Sequence, residues 1–131
     1  MNKEYWNSRY IQGIGAGAGS RGRLYEFKLN TVQKFVDDLK IESLVDVGCG
    51  DGTQLQSLNA PQYTGYDISD VAIESAQVFS RADHMHKRYS VMDEDAAGEG
   101  SAFEMAVSLD VLFHLADRDW ETLGHFLLLR H

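Results

Sequence analysis

Only one cysteine, Cys49, occurs among the 131 residues, so no internal disulfide can form. Basic side chains are also scarce: 12 Lys and Arg stand against 20 Asp and Glu, for a net charge of -8. A surface this acidic argues against a sequence-independent grip on nucleic-acid phosphates or anionic lipid. No apolar run approaches the ~18 residues of a membrane span, and no segment has the form of a secretory leader, so a cytoplasmic location without membrane contact is expected. At 131 residues the chain is long enough for one core and too short for two.

What the chain does have is one apolar run that stops in a glycine cluster, Leu44-Val45-Asp46-Val47-Gly48-Cys49-Gly50-Asp51-Gly52. The β-branched Val45 and Val47 suit a strand buried on both faces, and the glycines let the chain turn tightly. Thr53, Gln54 and Leu55 then resume side chains that start a helix. Bare backbone N–H groups and a positive helix end are therefore expected over the glycines, a setting that favours a carboxylate or phosphate.

Residues 1–22 put Tyr5, Trp6, Arg9 and Tyr10 close together and add Gly13, Gly15, Gly17, Gly19 and Gly22 behind them. They read as a glycine-rich N-terminal arm ahead of a domain over 23–131. Two uses stay open: a disordered lead-in, or a lid in which Trp6 and Tyr10 cover a ligand and the glycines act as a hinge. Gly17-Ala18-Gly19-Ser20-Arg21-Gly22 spells a G-x-G-x-x-G dinucleotide fingerprint, but no predicted strand precedes it.

From Leu24 to Lys40, Leu24, Phe27, Val32, Phe35, Val36 and Leu39 recur at helical spacing and predict a helix with one buried stripe. After the glycine turn, Leu55 and Leu58 support only a short helix, ended by Asn59 and by Pro61, the single proline. Tyr63 to Tyr66 predicts a second strand closing on Asp67, and Ser69 or Asp70 caps a helix to about Arg81. Lys87 to Met92 predicts a third strand ending on Asp93, with an acidic loop over 94–101 behind it. Met105 to Leu109 predicts a fourth ending at Asp110, and Trp120, Leu123, Phe126 and Leu127 trace a last helix.

Strands alternating with helices imply an α/β fold with a parallel sheet covered on both faces. Ligands of such sheets bind beyond the carboxyl ends of the strands, where strand order reverses. The glycine turn, Asp67, Asp93 and the Ser108-Leu109-Asp110 corner all project toward that crevice. Asp67, about 20 residues past the glycines, stands where such folds bind ribose hydroxyls. Asp93 and its backbone suit an exocyclic amine such as that of adenine. Each aspartate alone also suits helix capping or a turn.

These residues carry a resemblance. Val45 to Gly52, with acidic Asp46 ahead of glycines spaced G-x-G-x-G, resembles the glycine motif of class I S-adenosylmethionine-dependent methyltransferases. Tyr66-Asp67-Ile68-Ser69 is similar to the family's second motif. Trp6…Arg9-Tyr10 with its glycine-rich arm, and Ser108 through Leu115, are similar to small-molecule members.

The resemblance implies a Rossmann-like parallel sheet with helices on both faces and S-adenosylmethionine as cofactor. Gly48, Gly50 and the nearby backbone would hold its methionine part, with Cys49 as a small buried side chain beneath the loop. Asp46 would steady the loop or the amino group, and Tyr10 would close over the carboxylate. Asp67, with Ile68 beside it, would take the ribose, Met92 or Asp93 the adenine, and Ser108 with Leu109 the sulfonium end. Methyl transfer needs alignment more than a protein nucleophile. His114 is the candidate base, against the plainer reading of a histidine at a helix start. His84 and His86 alone make weak metal ligands.

The family's sheet has seven strands in roughly 200 residues, a common domain size, whereas this sequence supplies about four, as though truncated after the fourth strand. An edge on that strand, beside Phe126 to Leu129, leads to an expectation of self-association. Three functions are compatible: a methyltransferase acting on a small-molecule acceptor, an inactive S-adenosylmethionine-binding remnant acting through a partner, and a nicotinamide-dependent oxidoreductase. The glycine spacing disfavours the third.

Overall fold

The computed structural model describes residues 2–83, 87–93 and 102–115. Its sheet has four strands, β1 (Ser43–Val47), β2 (Gln62–Asp67), β3 (Lys87–Val91) and β4 (Met105–Val107), in the order β3-β2-β1-β4. All pairings are parallel: Val45 sits opposite Thr64 on one side and Ala106 on the other. Strand order therefore reverses between β1 and β4. The expected strands are present, and β4 forms one edge among the described residues.

Strand β1 is central, which is why its side chains are buried on both faces. Leu44 and Asp46 point to one face, Val45 and Val47 to the other. On the first face, α2 (Gly22–Leu39) and α3 (Asp70–Asp83) bring Val32, Val36, Ile73 and Ala76 against Leu44, Tyr63 and Tyr89. On the second, Val45 and Val47 pack with Tyr66 and Phe103. Each fully buried aliphatic side chain of this kind contributes about 1.5–3 kcal/mol. Strand β3 buries Lys87 and Tyr89 and exposes Arg88 and Ser90, the alternation of an edge strand. Lys87 Nζ donates to Leu55 O at 2.8 Å and to Gln56 O, so the buried ammonium is satisfied by carbonyls of the short 3-10 turn Thr53–Leu55 and the residue after it.

Two expectations need correction. The stripe predicted on α2 is only partly buried: Val32 and Val36 reach the core, while Leu24, Phe27, Phe35 and Leu39 stay exposed, Phe27 at 68%. Phe27 and Val36 are separated by about two and a half turns at 3.6 residues per turn, so they point in opposite directions. Of the two uses left open for the N-terminal arm, the disordered lead-in does not hold for residues 3–11, which form a helix, α1 (Lys3–Ile11). Asn2 Oδ1 accepts from Tyr5 N at 3.0 Å as its cap, with Glu4 in the first turn and Arg9 in the last to complement the dipole.

No residue of helix α1 is fully buried, although Trp6 and Tyr10 are half-buried at its inner side, and polar contacts hold it to the start of α3. Asn7 Nδ2 donates to Asp70 Oδ1 at 2.7 Å, Ser69 Oγ donates to Asn7 Oδ1 at 2.5 Å, and Lys3 lies 3.5 Å from Asp70. Ser69 caps α3 in turn by accepting from Ala72 N at 3.1 Å. No described helix is long and apolar enough to cross a membrane. The acidic loop over 94–101, His84, His86 and the helix expected from Trp120 to Leu127 lie outside the described residues.

Candidate active site

The chain leaves β1 through Gly48, Gly50 and Gly52, all at positive φ (84°, 58° and 81°), where a Cβ is disfavoured. The space is also taken. A Cβ on Gly48 would run into the Val111 side chain and one on Gly50 into the Tyr10 hydroxyl. The glycines thus let the β4 exit and α1 close over the end of β1.

The N–H groups of this turn are not bare. Gly48 N and Cys49 N both donate to Tyr66 O, at 2.7 and 3.0 Å, Gly50 N donates to Asp67 Oδ2 at 2.9 Å, and Gly52 N to Cys49 O at 3.1 Å. The next element in the chain is a 3-10 turn of three residues, too short to supply a helix dipole. The phosphate- or carboxylate-binding nest expected from the glycines is therefore spent on holding β1 to β2. A β-strand neighbour supplies its acceptors, and nothing in the local sequence reveals that.

Asp67 ends β2 and is nearly buried. Its Oδ1 accepts from Ser69 N at 2.9 Å while Oδ2 takes Gly50 N, so one carboxylate ties the glycine turn to the start of α3. Burial pushes its pKa up, and the Ser69 and Gly50 N–H groups pull it back. Asp46 lies deeper, at 2% exposure on the α2–α3 face. Its Oδ2 accepts from Tyr63 OH at 2.6 Å, and its Oδ1 has no partner among the described residues. Burial, reinforced by Asp67 and opposed by the Tyr63 hydrogen bond and Lys87, raises its pKa to about 7. Burial likewise raises the Cys49 thiol well above its usual value, leaving an inert thiol and no nucleophile.

A cleft opens above these groups at the β1–β4 switch point. Its volume is about 510 Å3 with the open solvent at its mouth included. Tyr10, Gly48, Cys49, Gly50, Asp67, Ile68, Leu109 and His114 line it together. Burial, then Asp67 and Asp51, raise the Tyr10 phenol further. Trp6 meets the His114 ring edge-on at 5.0 Å.

Four expected residues stand outside the lining. Asp46 is beneath the sheet end, and Ser108 Oγ donates to Val47 O at 2.9 Å, bracing β1 against β4. Met92 packs against the Val45–Val47 cluster, and Asp93 is exposed beside it. The lining adds Ala16, Gln54 and Val111, which sequence reasoning did not single out as ligand contacts, and includes Asp110 from the corner expected to project toward the crevice. Gln54 has one signal, visible only in three dimensions: its Oε1 is buried without a donor among the described residues. Those residues contain no group of three metal-ligating side chains.

The fold has counterparts among known proteins. A family model described as a methyltransferase domain matches residues 45–129. Magnesium protoporphyrin IX methyltransferase from Synechocystis PCC 6803 with bound SAH superposes with a TM-score of 0.68 at 20% identity, over 97% of this chain and 65% of that one. The methyltransferase domain of bacterial CtHen1 gives 0.62 at 24% identity over 78% and 58% of the two chains. The bifunctional kinase-methyltransferase WbdD gives 0.61 at 19% identity over 84% and 28%. At these identities the likeness shows the fold, and the chain spans about two thirds of the first structure's length or less. No curated protein matches significantly.

Proposed function

Because this chain belongs to the methyltransferase-domain family, whose model matches residues 45–129, we propose that its cleft binds S-adenosylmethionine and transfers the methyl group to a small-molecule acceptor. The observation that carries the reading is the glycine turn at the switch point, tied to Asp67 through Gly50 N and lining the cleft with Gly48, Cys49, Gly50 and Asp67. When bound, the cofactor supplies a methyl group already activated on a sulfonium.

The side chains fit that group. Gln54 offers an acceptor without a donor, suited to the ammonium of the methionine end. Asp67 faces the cleft at the end of β2, where ribose hydroxyls are held in folds of this kind. Ile68 and Leu109 supply apolar walls, and Met92 and Asp93, at the adjoining β3 exit, are assigned to the adenine. With its turn N–H groups already used and no helix directly behind it, the site offers a pyrophosphate little, which weighs against a nicotinamide dinucleotide.

Trp6 and Tyr10 on α1 cover the cleft and keep water from the reacting centre. An imidazole nitrogen of His114, at the mouth, takes the proton that an O–H or N–H acceptor releases. Asp46 supports the turn from below by holding the Tyr63 hydroxyl.

Calorimetric titration with S-adenosylhomocysteine tests the reading. Saturable one-to-one heat is expected, and a folded chain that gives none overturns it. Formation of S-adenosylhomocysteine from S-adenosylmethionine with an acceptor panel then separates an enzyme from a binding remnant. Asn7→Ala is expected to weaken S-adenosylhomocysteine binding by roughly tenfold, because it frees α1 from Ser69 and Asp70. The melting midpoint should move little, since no residue of α1 is fully buried.

A further inference from the structure

Beside the glycine turn, the cleft is walled by the β4 exit, and one ion pair organises that wall. Lys28, from α2, has a side chain only 15% exposed; its Nζ donates to Asp110 Oδ2 and to Gly19 O, the latter at 2.6 Å. Gly19 has no room for a side chain, since a Cβ there would lie 2.8 Å from Asp110 Oδ2 and 3.2 Å from Lys28 Nζ. Asp110 itself adopts φ 59°, the left-handed region that aspartate enters more readily than most side chains. The stretch from Gly19 to Lys28 and the β4 exit 82 residues beyond Lys28 thus converge to hold one carboxylate at the cleft wall.

The rest of that wall is apolar or aromatic: Trp6, Leu109 and Val111, with the His114 ring. Among the described lining residues, Asp67 and Asp110 are the only ones with a full formal charge, and both are carboxylates. Of the cations near this wall, Lys28 is committed to Asp110 and Gly19, while Arg9 lies over the Trp6 ring and donates to Gly15 O. A carboxylate or phosphate entering here meets two like charges and no Lys or Arg among the described lining residues, on a chain of net charge -8. A hydroxyl or amine instead finds an aimed acceptor, because Lys28 engages only one of the two Asp110 oxygens.

We infer that Asp110 and Lys28 form the acceptor subsite, which selects a compact molecule with an apolar or aromatic frame carrying a neutral or cationic hydrogen-bond donor and rejects anionic acceptors. Asp110 touches the acceptor, and Lys28 is a positioning residue that aims it. This rests on the methyltransferase reading above and adds the acceptor's chemical class.

The test uses the full chain saturated with S-adenosylhomocysteine and three probes on one frame: benzyl alcohol, benzylamine and benzoate, monitored by saturation-transfer NMR. The alcohol and the amine are expected to bind and to be preferred over benzoate by at least about tenfold, the scale of one charge-assisted hydrogen bond. Asp110→Asn removes the carboxylate and leaves the Lys28 ammonium without its counter-charge, so benzoate should gain and the preference should fall severalfold or reverse. Lys28→Met should instead raise the amine over the alcohol. Benzoate binding as well as the amine, an unchanged preference in Asp110→Asn, or no binding by any probe each overturns the inference while leaving the cofactor reading intact. Absence of S-adenosylhomocysteine binding in the first place sinks the methyltransferase reading, and the inference with it.

Discussion

Asp67→Ala is expected to cut S-adenosylhomocysteine affinity by roughly a hundredfold or more and to lower stability by several kcal/mol. The substitution strips the acceptor from two buried N–H groups at once, those of Gly50 and Ser69. Each orphaned group costs about 1–3 kcal/mol. Gly50 sits in the cradle and Ser69 caps α3, so the glycine turn and the helix start lose their common tie. Asp67→Asn separates binding from folding, because its single carbonyl oxygen satisfies one N–H while its amide faces the other. It should remain folded by circular dichroism yet bind at least about tenfold more weakly by calorimetry. Wild-type affinity in Asp67→Asn would show that the carboxylate serves only to cap.

Asp46 sets the second large effect, a stability that declines as pH rises. Its pKa moves from an ordinary carboxyl value of 3.8 to about 7 in the folded chain. The folded state therefore holds a proton between those values that the unfolded state has released, and stability falls with pH across that window. The stabilisation is complete below about pH 4, is lost through pH 7 and is absent above. At 1.36 kcal/mol per unit, the difference between the two ends is about 4 kcal/mol. In Asp46→Asn the amide oxygen still accepts from Tyr63 and no charge is buried, so most of the slope should vanish, leaving that of Asp67, which is raised in the same direction. Urea denaturation from pH 5 to 8 measures both. A wild-type stability that rises over this range, or a variant with the same slope, would refute the account.

Much of this architecture arises from patterns local to a few residues. The β-branched pair Val45 and Val47 running into Gly48, Gly50 and Gly52 specifies a central strand and a sharp exit, because only buried strands tolerate such a run and only glycine accepts repeated positive φ. Alternation of strand and helix then leaves a parallel sheet and a cleft at its carboxyl ends. Helix α1 was legible in principle from Asn2, Glu4 and Arg9, but the glycines behind it dominate the reading.

The remainder depended on which distant groups meet. Whether the turn's N–H groups face a ligand or a neighbour depends on Tyr66 O and Asp67, which belong to another strand. Which apolar residues of α2 are buried depends on how the helix is rotated against the sheet, and the count of apolar positions alone does not fix that rotation. Asn7 finds Asp70 63 residues away, and Lys28 finds Asp110 across 82. Hydrogen bonds and ion pairs are short-ranged, so they can be assigned only once packing has brought their partners within reach, whereas periodicity and backbone preference act within a few residues and are written in the chain itself.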